Sequence, residues 1–316
     1  MLSYDALCRH PDAFPNLTGL TRAEFDALAR EFEAAERVLR GSTPTTRRFR
    51  QPRRNAPGAG HPYHNDARSR LLMALVWLRV YPTYEVLGFF FDLHKRNAQL
   101  NVRAVSEVLD ALDSFPFDRP ARDRRKLRSA AEVMAAFPQV RLIIDAKEQR
   151  INRPQGFEAQ KRYYSGKKKT HTLKTQVVVD PCGRIETISA SVPGGANHDL
   201  TLLRGSGILE ELAEGEGVMV DKGYVGVKTS HPEIPIVIPY KASRNHPLTE
   251  EHKAFNRVVA RHRIVVEHVM AQLNRFTVLR QVFRGQKRER HSEVVRVVAK
   301  LVNRRVRVRP LKSYAA

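Results

Sequence analysis

The spacing of hydrophobic residues changes along the chain, from a helical period over the first third to short β-branched runs further on. In residues 21–32, apolar side chains recur every three or four positions, and Thr21 with Glu24 forms a capping box that predicts a helix start. The helical period returns at Asp66 and stops at Pro82. These segments predict an N-terminal part built from α-helices.

A pair of short helices is predicted at the end of this helical part. Residues 83–91 form the first, residues 92–96 a tight turn, and residues from about 97 to 112 the second. Two short helices joined by a tight turn are typical of a helix-turn-helix motif, here at about 83–112. From the pattern alone, a plain helical hairpin with a polar outer face remains an equal alternative.

Beyond a segment rich in proline and charge (residues 113–128), the pattern becomes strand-like. Short β-branched runs, punctuated by Gly, Pro and Asn, predict strands at 140–144, 173–179, 185–192, 218–220 and 234–238. One long helix is predicted over residues 250–279. We therefore expect an all-α domain over residues 1–125 and an α/β domain over residues 126–316, with a mixed sheet of about five strands between helices.

Composition and charge narrow the function classes. The 316 residues include 55 Lys and Arg against 33 Asp and Glu, a formal charge of +22, with a hydrophobic content of 42%. These values indicate a folded protein whose partner is a polyanion, although ribosomal or histone-like binding would also suit them. The longest apolar stretch, residues 71–78, is too short to span a bilayer, and no secretory signal is visible. We expect a cytoplasmic, nucleoid-associated protein with no membrane contact.

The charge favours double-stranded DNA as the partner of the predicted helix pair. The N-terminal half of the second helix carries side chains of the types that reach phosphates and base edges. These candidate DNA contacts are Lys95, Arg96, Asn97, Gln99, Asn101 and Arg103.

Three carboxylates are candidate site residues, and for two of them an unpaired position at the end of an apolar strand would be costly. Asp145 and Asp221 each follow an apolar predicted strand, and Glu267 lies on the shoulder of the buried stripe of the long helix. Arg263 precedes Glu267 by one turn, and valines nearby suggest partial burial of the glutamate. The alternatives are turn-initiating aspartates and a surface Arg–Glu pair.

Such a trio has the chemistry of a metal-dependent phosphoryl-transfer site. Carboxylate oxygens are hard ligands suited to Mg²⁺, with Mn²⁺ as a substitute. Two such ions can activate an attacking oxygen and stabilise the leaving one. The sequence thus predicts two Mg²⁺ ions at Asp145, Asp221 and Glu267, acting on a nucleic-acid backbone.

A basic segment with interleaved tyrosines precedes and enters the second predicted strand. Its alternative is a solvated charged loop, but a loop that grips phosphates beside the active site fits the aromatic residues better. The candidate DNA contacts of this domain are Arg162, Lys167, Lys168, Lys169, Lys174 and Lys222. Capping of the next helix by Asn197 or Asp199 is expected from the sequence NHD.

At these residues the sequence resembles the DDE-type transposases of bacterial insertion sequences, in the branch related to Harbinger transposases. The matching pieces, in order, are YPTYEVL at 81–87, IDAKE at 144–148, RP at 153–154, YYSGKKK at 163–169, HTLKTQ at 171–176, NHD at 197–199, VDKGY at 220–224, and Arg263 with Glu267.

The resemblance implies an RNase H-like catalytic domain whose first and fourth strands each supply an Asp and whose late helix supplies the Glu. It implies Asp145, Asp221 and Glu267 as catalytic and metal-binding residues, with His198, Asp199, Glu148 and Arg263 as further site candidates. Two positions depart from the family pattern. Lys147 stands where the family usually has Thr, and Asn274 stands where many relatives carry Lys.

The function expected from these features is a DNA transposase. It would bind terminal inverted repeats, hydrolyse the phosphodiester at the element's end and transfer the freed 3′-hydroxyl to target DNA, as a homodimer or larger assembly. Two rivals remain open. One is a domesticated DNA endonuclease that uses the same trio, and the other is a DNA-binding protein without catalytic activity.

Overall fold

The computed structural model describes residues 1–41, 65–112, 135–244, 246–285 and 287–308. The chain divides into two compact units. The first comprises Met1–Pro116 with Arg275–Val278, and the second comprises Phe117–Asn274 with Leu279–Ala316. The expected domain boundary near residue 125 lies outside the described residues.

The first unit contains the predicted helices. They are α1 (Tyr4–Cys8), α2 (Ala13–Thr18), α3 (Arg22–Gly41), α4 (Ala67–Val80), α5 (Tyr84–Phe91) and α6 (Lys95–Ala111). The predicted capping box is confirmed, because the Thr21 amide donates to the Glu24 carboxylate over 2.6 Å and the Thr21 hydroxyl accepts from the Glu24 amide over 3.3 Å. The side chains of Asp66 and Thr83 cap α4 and α5 by accepting from the Ser69 and Val86 amides.

Helix α4 is the centre of the first unit, and every residue from Arg70 to Leu78 is buried. The Arg70 guanidinium is neutralised inside by Glu36 of α3, 2.7 Å away, and its Nε donates to the Asn101 side chain of α6 over 3.0 Å. The prediction that Asn101 is exposed for DNA contact is therefore wrong. Its amide is buried and completes the polar network around Arg70.

A short turn joins α5 to α6. The Leu93 amide donates to the Gly88 carbonyl over 2.9 Å, and Asp92 adopts a left-handed conformation with φ of 53°. A Cβ on Gly88 would lie 2.3 Å from the Leu93 carbonyl oxygen, so only glycine permits this close return of the chain. Helix α6 begins two residues earlier than predicted, at Lys95, with His94 as its N-cap.

The second unit is a mixed α/β fold. Its strands are β1 (Val140–Arg150), β2 (Tyr164–Ser165), β3 (Thr170–Val179), β4 (Ile185–Ile188), β5 (Val192–Pro193), β6 (Gly217–Met219) and β7 (Ile236–Val237). Its helices are α7 (Phe157–Tyr163), α8 (Asp199–Arg204), α9 (Val227–Ser230), α10 (Glu250–Asn274) and α11 (Arg288–Val308). The mixed sheet and the preceding helices agree with the predicted α/β class.

The sheet has the order β2-β3-β1-β6-β7, and β4 and β5 also pair with β3. Strand β1 is antiparallel to β3 and parallel to β6, which is in turn parallel to β7. One face buries the apolar cluster that includes Ile144 and Val178 together with Val227 of α9.

The single strand predicted over residues 185–192 is in fact two. Between them, the Ser189 hydroxyl accepts from the Gln176 amide over 2.8 Å, and the Ser191 amide donates to the Ser292 hydroxyl over 2.9 Å. Serine hydroxyls thus accept from the Gln176 amide of β3 and from the Ser191 amide in place of backbone carbonyls, which interrupts the regular ladder. Within the part of the chain that the structure describes, no helix is long and apolar enough to cross a membrane.

Candidate active site

Asp145 lies in the middle of a strand, not at its end as predicted. Strand β1 continues to Arg150 because β3 pairs with it throughout this half. The parallel pairing with β6 stops at Ile143 opposite Met219, where β6 ends. Asp145 and Asp221 therefore both lie just past the end of this parallel ladder, where the backbones of neighbouring strands separate.

A cation from α10 joins the two aspartates. The Arg263 guanidinium lies 3.6 Å from an Asp145 carboxylate oxygen and 3.3 Å from an Asp221 carboxylate oxygen. Glu267 follows Arg263 by one helical turn. Its side chain is exposed, so the partial burial expected for it is wrong.

The charges of the three carboxylates influence one another. Burial raises the pKa of Asp145 to about 6, against the lowering effects of the Arg263 charge and of the Ala146 amide that donates to it. The negative charges of Glu267 and Asp221 add to the rise. The site therefore gathers negative charge that one guanidinium only partly neutralises.

The donor chemistry at this position fits a hard divalent cation. Three carboxylates are the ligand type that Mg²⁺ and Mn²⁺ prefer, and a positive group already stands between two of them. The Tyr224 hydroxyl nearby is buried without a hydrogen-bond partner among the described residues, and burial raises its pKa. In the described ranges, no group of three or more acidic, His or Cys side chains is arranged to hold a metal ion.

Comparison with known proteins shows the family to which the chain belongs. Residues 144–303 match the family described as DDE superfamily endonuclease. The chain is also 32% identical, over 69% of its own length and 74% of the relative's, to a probable transposase for insertion sequence element IS702 from Microchaete diplosiphon. The chain belongs to the family of DDE insertion-sequence transposases. No solved structure matches it.

A second set of charged groups lies on the opposite face of the DDE protein's sheet from Asp145. The Lys174 ammonium lies 3.0 Å from Asp199 and 3.6 Å from Glu148, and it donates to the Asn197 carbonyl over 2.8 Å. Lys174 is buried, so the prediction that it contacts DNA is wrong. The network links β1, β3 and α8, and it places Asp199 against Gly223, two residues after Asp221.

The predicted capping at α8 is also wrong. His198 is the N-cap residue, without a side-chain hydrogen bond. The Asn197 side chain instead donates to the Pro193 carbonyl over 2.8 Å, and Asp199 pairs with Lys174. Of the further site candidates, Arg263 therefore joins the carboxylates, whereas Glu148 and Asp199 belong to the buried network.

The two residues that depart from the family pattern contact each other. The Lys147 ammonium of β1 donates to the Asn274 side-chain oxygen at the end of α10. Lys147 follows Asp145 by two residues and so shares its face of the strand. Neither residue is among the site residues that the sequence predicts. The two-residue spacing from Asp145 was the signal available for Lys147.

The other predicted contacts of this unit lie at the surface. Arg162, Lys167, Lys168 and Lys169 are exposed on and after α7. Lys222 lines an open groove of about 440 Å³ beside Asp221 and Arg263. Lys253 and Arg257 of α10 also line this groove, and no pattern in the sequence had singled them out. Basic side chains thus reach up to the carboxylates.

In the first unit, the remaining predicted contacts on α6 are exposed. They are Lys95, Arg96, Asn97, Gln99 and Arg103. Lys95 also pairs with Glu85 of α5 over 2.6 Å, and Arg103 with Glu107 over 3.2 Å. In both pairs the basic side chain is exposed, so water and salt weaken the pair and the basic group remains available to another anion.

Proposed function

We propose that the chain is a DNA transposase that binds the terminal inverted repeats of its element, cleaves the phosphodiester at the element's end and joins the freed 3′-hydroxyl to target DNA. The observation that carries this proposal is the grouping of Asp145 and Asp221 around Arg263, with Glu267 one turn away on α10. Two DNA ends must be held together for such a reaction, so the acting form is at least a homodimer.

The sheet supports an RNase H-like assignment of the second unit. Apart from the two-residue β2, and with β4 and β5 taken together as one interrupted strand, β6 is the fourth strand of the unit. Asp145 is then on the first strand, Asp221 follows the fourth, and Glu267 is on a late helix. This is the arrangement that the resemblance to DDE transposases implies.

In this proposal, Asp145, Asp221 and Glu267 hold two Mg²⁺ ions, for which Mn²⁺ can substitute. When bound, such ions activate the attacking oxygen and stabilise the leaving oxygen of a phosphodiester. The protein itself positions the carboxylates. Strand β1 and the loop after β6 fix the two aspartates, and Arg263 holds their carboxylates near each other. At neutral pH, a pKa of about 6 leaves Asp145 mostly ionised and able to bind a cation.

DNA would be held by both units. The turn between α5 and α6 gives these helices the form of a helix-turn-helix, and the exposed basic side chains of α6 would contact the element's ends. In the second unit, the Lys167–Lys169 loop and the groove that Lys222 lines would follow the backbone toward the carboxylates. These contacts account for the excess positive charge of the chain.

The test uses the purified full chain, duplex DNA from the regions flanking its gene, and Mg²⁺ or Mn²⁺. We expect metal-dependent cleavage at one position of each end, found by mapping the new 3′ ends. Asp145→Asn and Asp221→Asn should abolish cleavage while DNA binding persists. Glu158→Gln, which changes an exposed acid on α7, is the matched control and should cut normally.

The outcomes separate the rival functions. Cleavage without joining to a target duplex would favour a domesticated endonuclease. Binding without cleavage under either metal would favour a DNA-binding protein that has lost catalysis. Full cleavage by Asp145→Asn would overturn the assignment of the site.

A further inference from the structure

Lys147 is a half-buried cation without a matching anion. Its ammonium donates to the neutral side chain of Asn274, and none of the described residues forms an ion pair with it. The charge that acts on it most is that of Lys168, which is also positive. A partly desolvated ammonium beside an amide and a second cation is an unfavourable arrangement unless an anion completes it.

A nearby lysine shows that this imbalance is not general in the fold. Lys174 lies on β3 and is buried, but two carboxylates, Asp199 and Glu148, neutralise it. Arg263 is likewise matched, by Asp145 and Asp221. Lys147 therefore differs from the structural cations of the same unit.

The position of Lys147 indicates which kind of anion it would bind. It shares a face of β1 with Asp145, and two residues of strand place their Cα atoms about 7 Å apart. The charge of Lys168, on the exposed loop that follows α7, acts on Lys147, so the two ammonium groups are neighbours. A phosphodiester backbone that reaches Asp145 would thus pass these two ammonium groups.

We propose that Lys147 is a positioning residue that binds a backbone phosphate next to the phosphate being cleaved. Lys168 would contact the same DNA strand. This inference rests on the proposed function. Asn274 fixes the lysine at the end of α10, so that its ammonium points toward the DNA before the DNA arrives. The contact is electrostatic and independent of the base sequence.

The experiment measures binding without cleavage. Affinity for a short duplex from the flanking DNA is measured without divalent metal over a series of KCl concentrations, for the wild type and for Lys147→Met. Each phosphate contact contributes about 0.9 to the slope of log K against log[salt]. We expect Lys147→Met to bind more weakly and to lose about 0.9 of this slope, and Lys147→Arg to retain it.

An exchange variant tests the position of the charge. Because Lys147 reaches the Asn274 side chain, a lysine at position 274 can place its ammonium in the same space. The double variant Lys147→Thr with Asn274→Lys should recover the slope that Lys147→Thr alone loses. A merely structural lysine would give no such recovery. Lys228→Met is the control. Lys228 is exposed on α9, which packs on the other face of the sheet. The salt slope of this variant should therefore equal that of the wild type.

An unchanged slope and affinity in Lys147→Met would overturn the inference, as would equal losses in Lys147→Met and Lys147→Arg. Should Lys147→Met fail to fold, the salt slopes of Lys147→Thr and of the double variant Lys147→Thr with Asn274→Lys test the inference instead. A loss of slope in a protein that never cleaves DNA would support the phosphate contact and refute the proposed catalysis. Cleavage by the wild type, together with an unchanged slope in Lys147→Met, would support the proposed catalysis and refute the phosphate contact.

Discussion

Arg263 is bound to Asp221 across 42 residues of sequence, guanidinium to carboxylate over 3.3 Å. The same guanidinium lies 3.6 Å from Asp145. A single positive side chain from α10 thus holds together Asp145 of β1 and Asp221 of the loop after β6. Its charge stands where the proposed ions would act.

Replacing Arg263 with Met should make the stability of the protein dependent on Mg²⁺. Without the guanidinium, Asp145 and Asp221 repel each other, and we expect a loss of about 1–3 kcal/mol, less than for a fully buried pair because Asp221 is partly exposed. Mg²⁺ should restore part of this loss. Urea denaturation with and without Mg²⁺ measures the effect.

The control for this prediction is Arg263→Met combined with Asp145→Asn and Asp221→Asn. Removing the aspartate charges should remove both the destabilisation and the response to Mg²⁺. An Arg263→Met protein that Mg²⁺ does not stabilise would contradict the proposed role of these acids in binding metal.

His291 should make the protein less stable in acid. Burial and the charge of Lys147 lower its pKa to about 4. The unfolded chain takes up this proton near pH 6.5, whereas the folded chain does so only near pH 4. The stability contributed by the neutral ring is therefore complete above pH 6.5 and is lost as the pH falls toward 4, by about 3 kcal/mol in all.

The neutral ring also fits its hydrogen bonds. His291 Nε2 lies 2.9 Å from the Gln149 side-chain oxygen, which can only accept, so Nδ1 accepts from the Ser191 hydroxyl at 2.6 Å. His291→Gln should flatten the pH dependence between pH 4 and 6.5, measured by urea denaturation at several pH values. The raised pKa of Asp145 acts in the opposite direction in both proteins and cancels in the comparison. Parallel pH profiles for the two proteins would refute the prediction.

Lys174 should matter for folding and not for DNA binding. Lys174→Met leaves Glu148 and the partly exposed Asp199 without their cation, and we expect a loss of up to about 3–5 kcal/mol. Lys167→Met, on the exposed loop, should change stability by less than about 0.5 kcal/mol. Thermal denaturation compares the two. A stable Lys174→Met protein with a reduced salt slope for DNA binding would return Lys174 to the DNA contacts.

Asn101 should likewise act on the stability of the first unit. Asn101→Ala removes the acceptor for Arg70 Nε and should cost about 1–3 kcal/mol. Gln99→Ala, two residues earlier on the exposed side of α6, should leave stability unchanged and weaken binding to the element's ends. The opposite result, weaker binding with unchanged stability for Asn101→Ala, would show that this side chain faces the DNA.

The sequence predicted the elements well where the signal was local. Thr21 with Glu24, the helix stop before Pro82, and the runs that became β1, β3 and β6 could all be identified from neighbouring residues. Asp145 and Asp221 were predicted as site residues because each follows an apolar run. The length of β1 was not predicted, since its second half, with Lys147 and Glu148, has no apolar pattern and is a strand only through its pairing with β3.

Long-range pairing accounts for the wrong predictions. Lys174 was placed among the DNA contacts because its neighbours are basic, but its environment is set by Glu148 and Asp199, which belong to other elements. Asn101 was misassigned for the same reason, because a buried arginine on α4 is not visible in the pattern of α6. No periodicity indicates which charged side chains find partners across a sheet or between helices.

The guanidinium between the two aspartates also bears on how the protein matures. With this internal counter-charge in place, the chain can fold without divalent ions. In the proposed mechanism, chelators should therefore stop cleavage while leaving the architecture intact, and the supply of Mg²⁺ would control activity separately from folding.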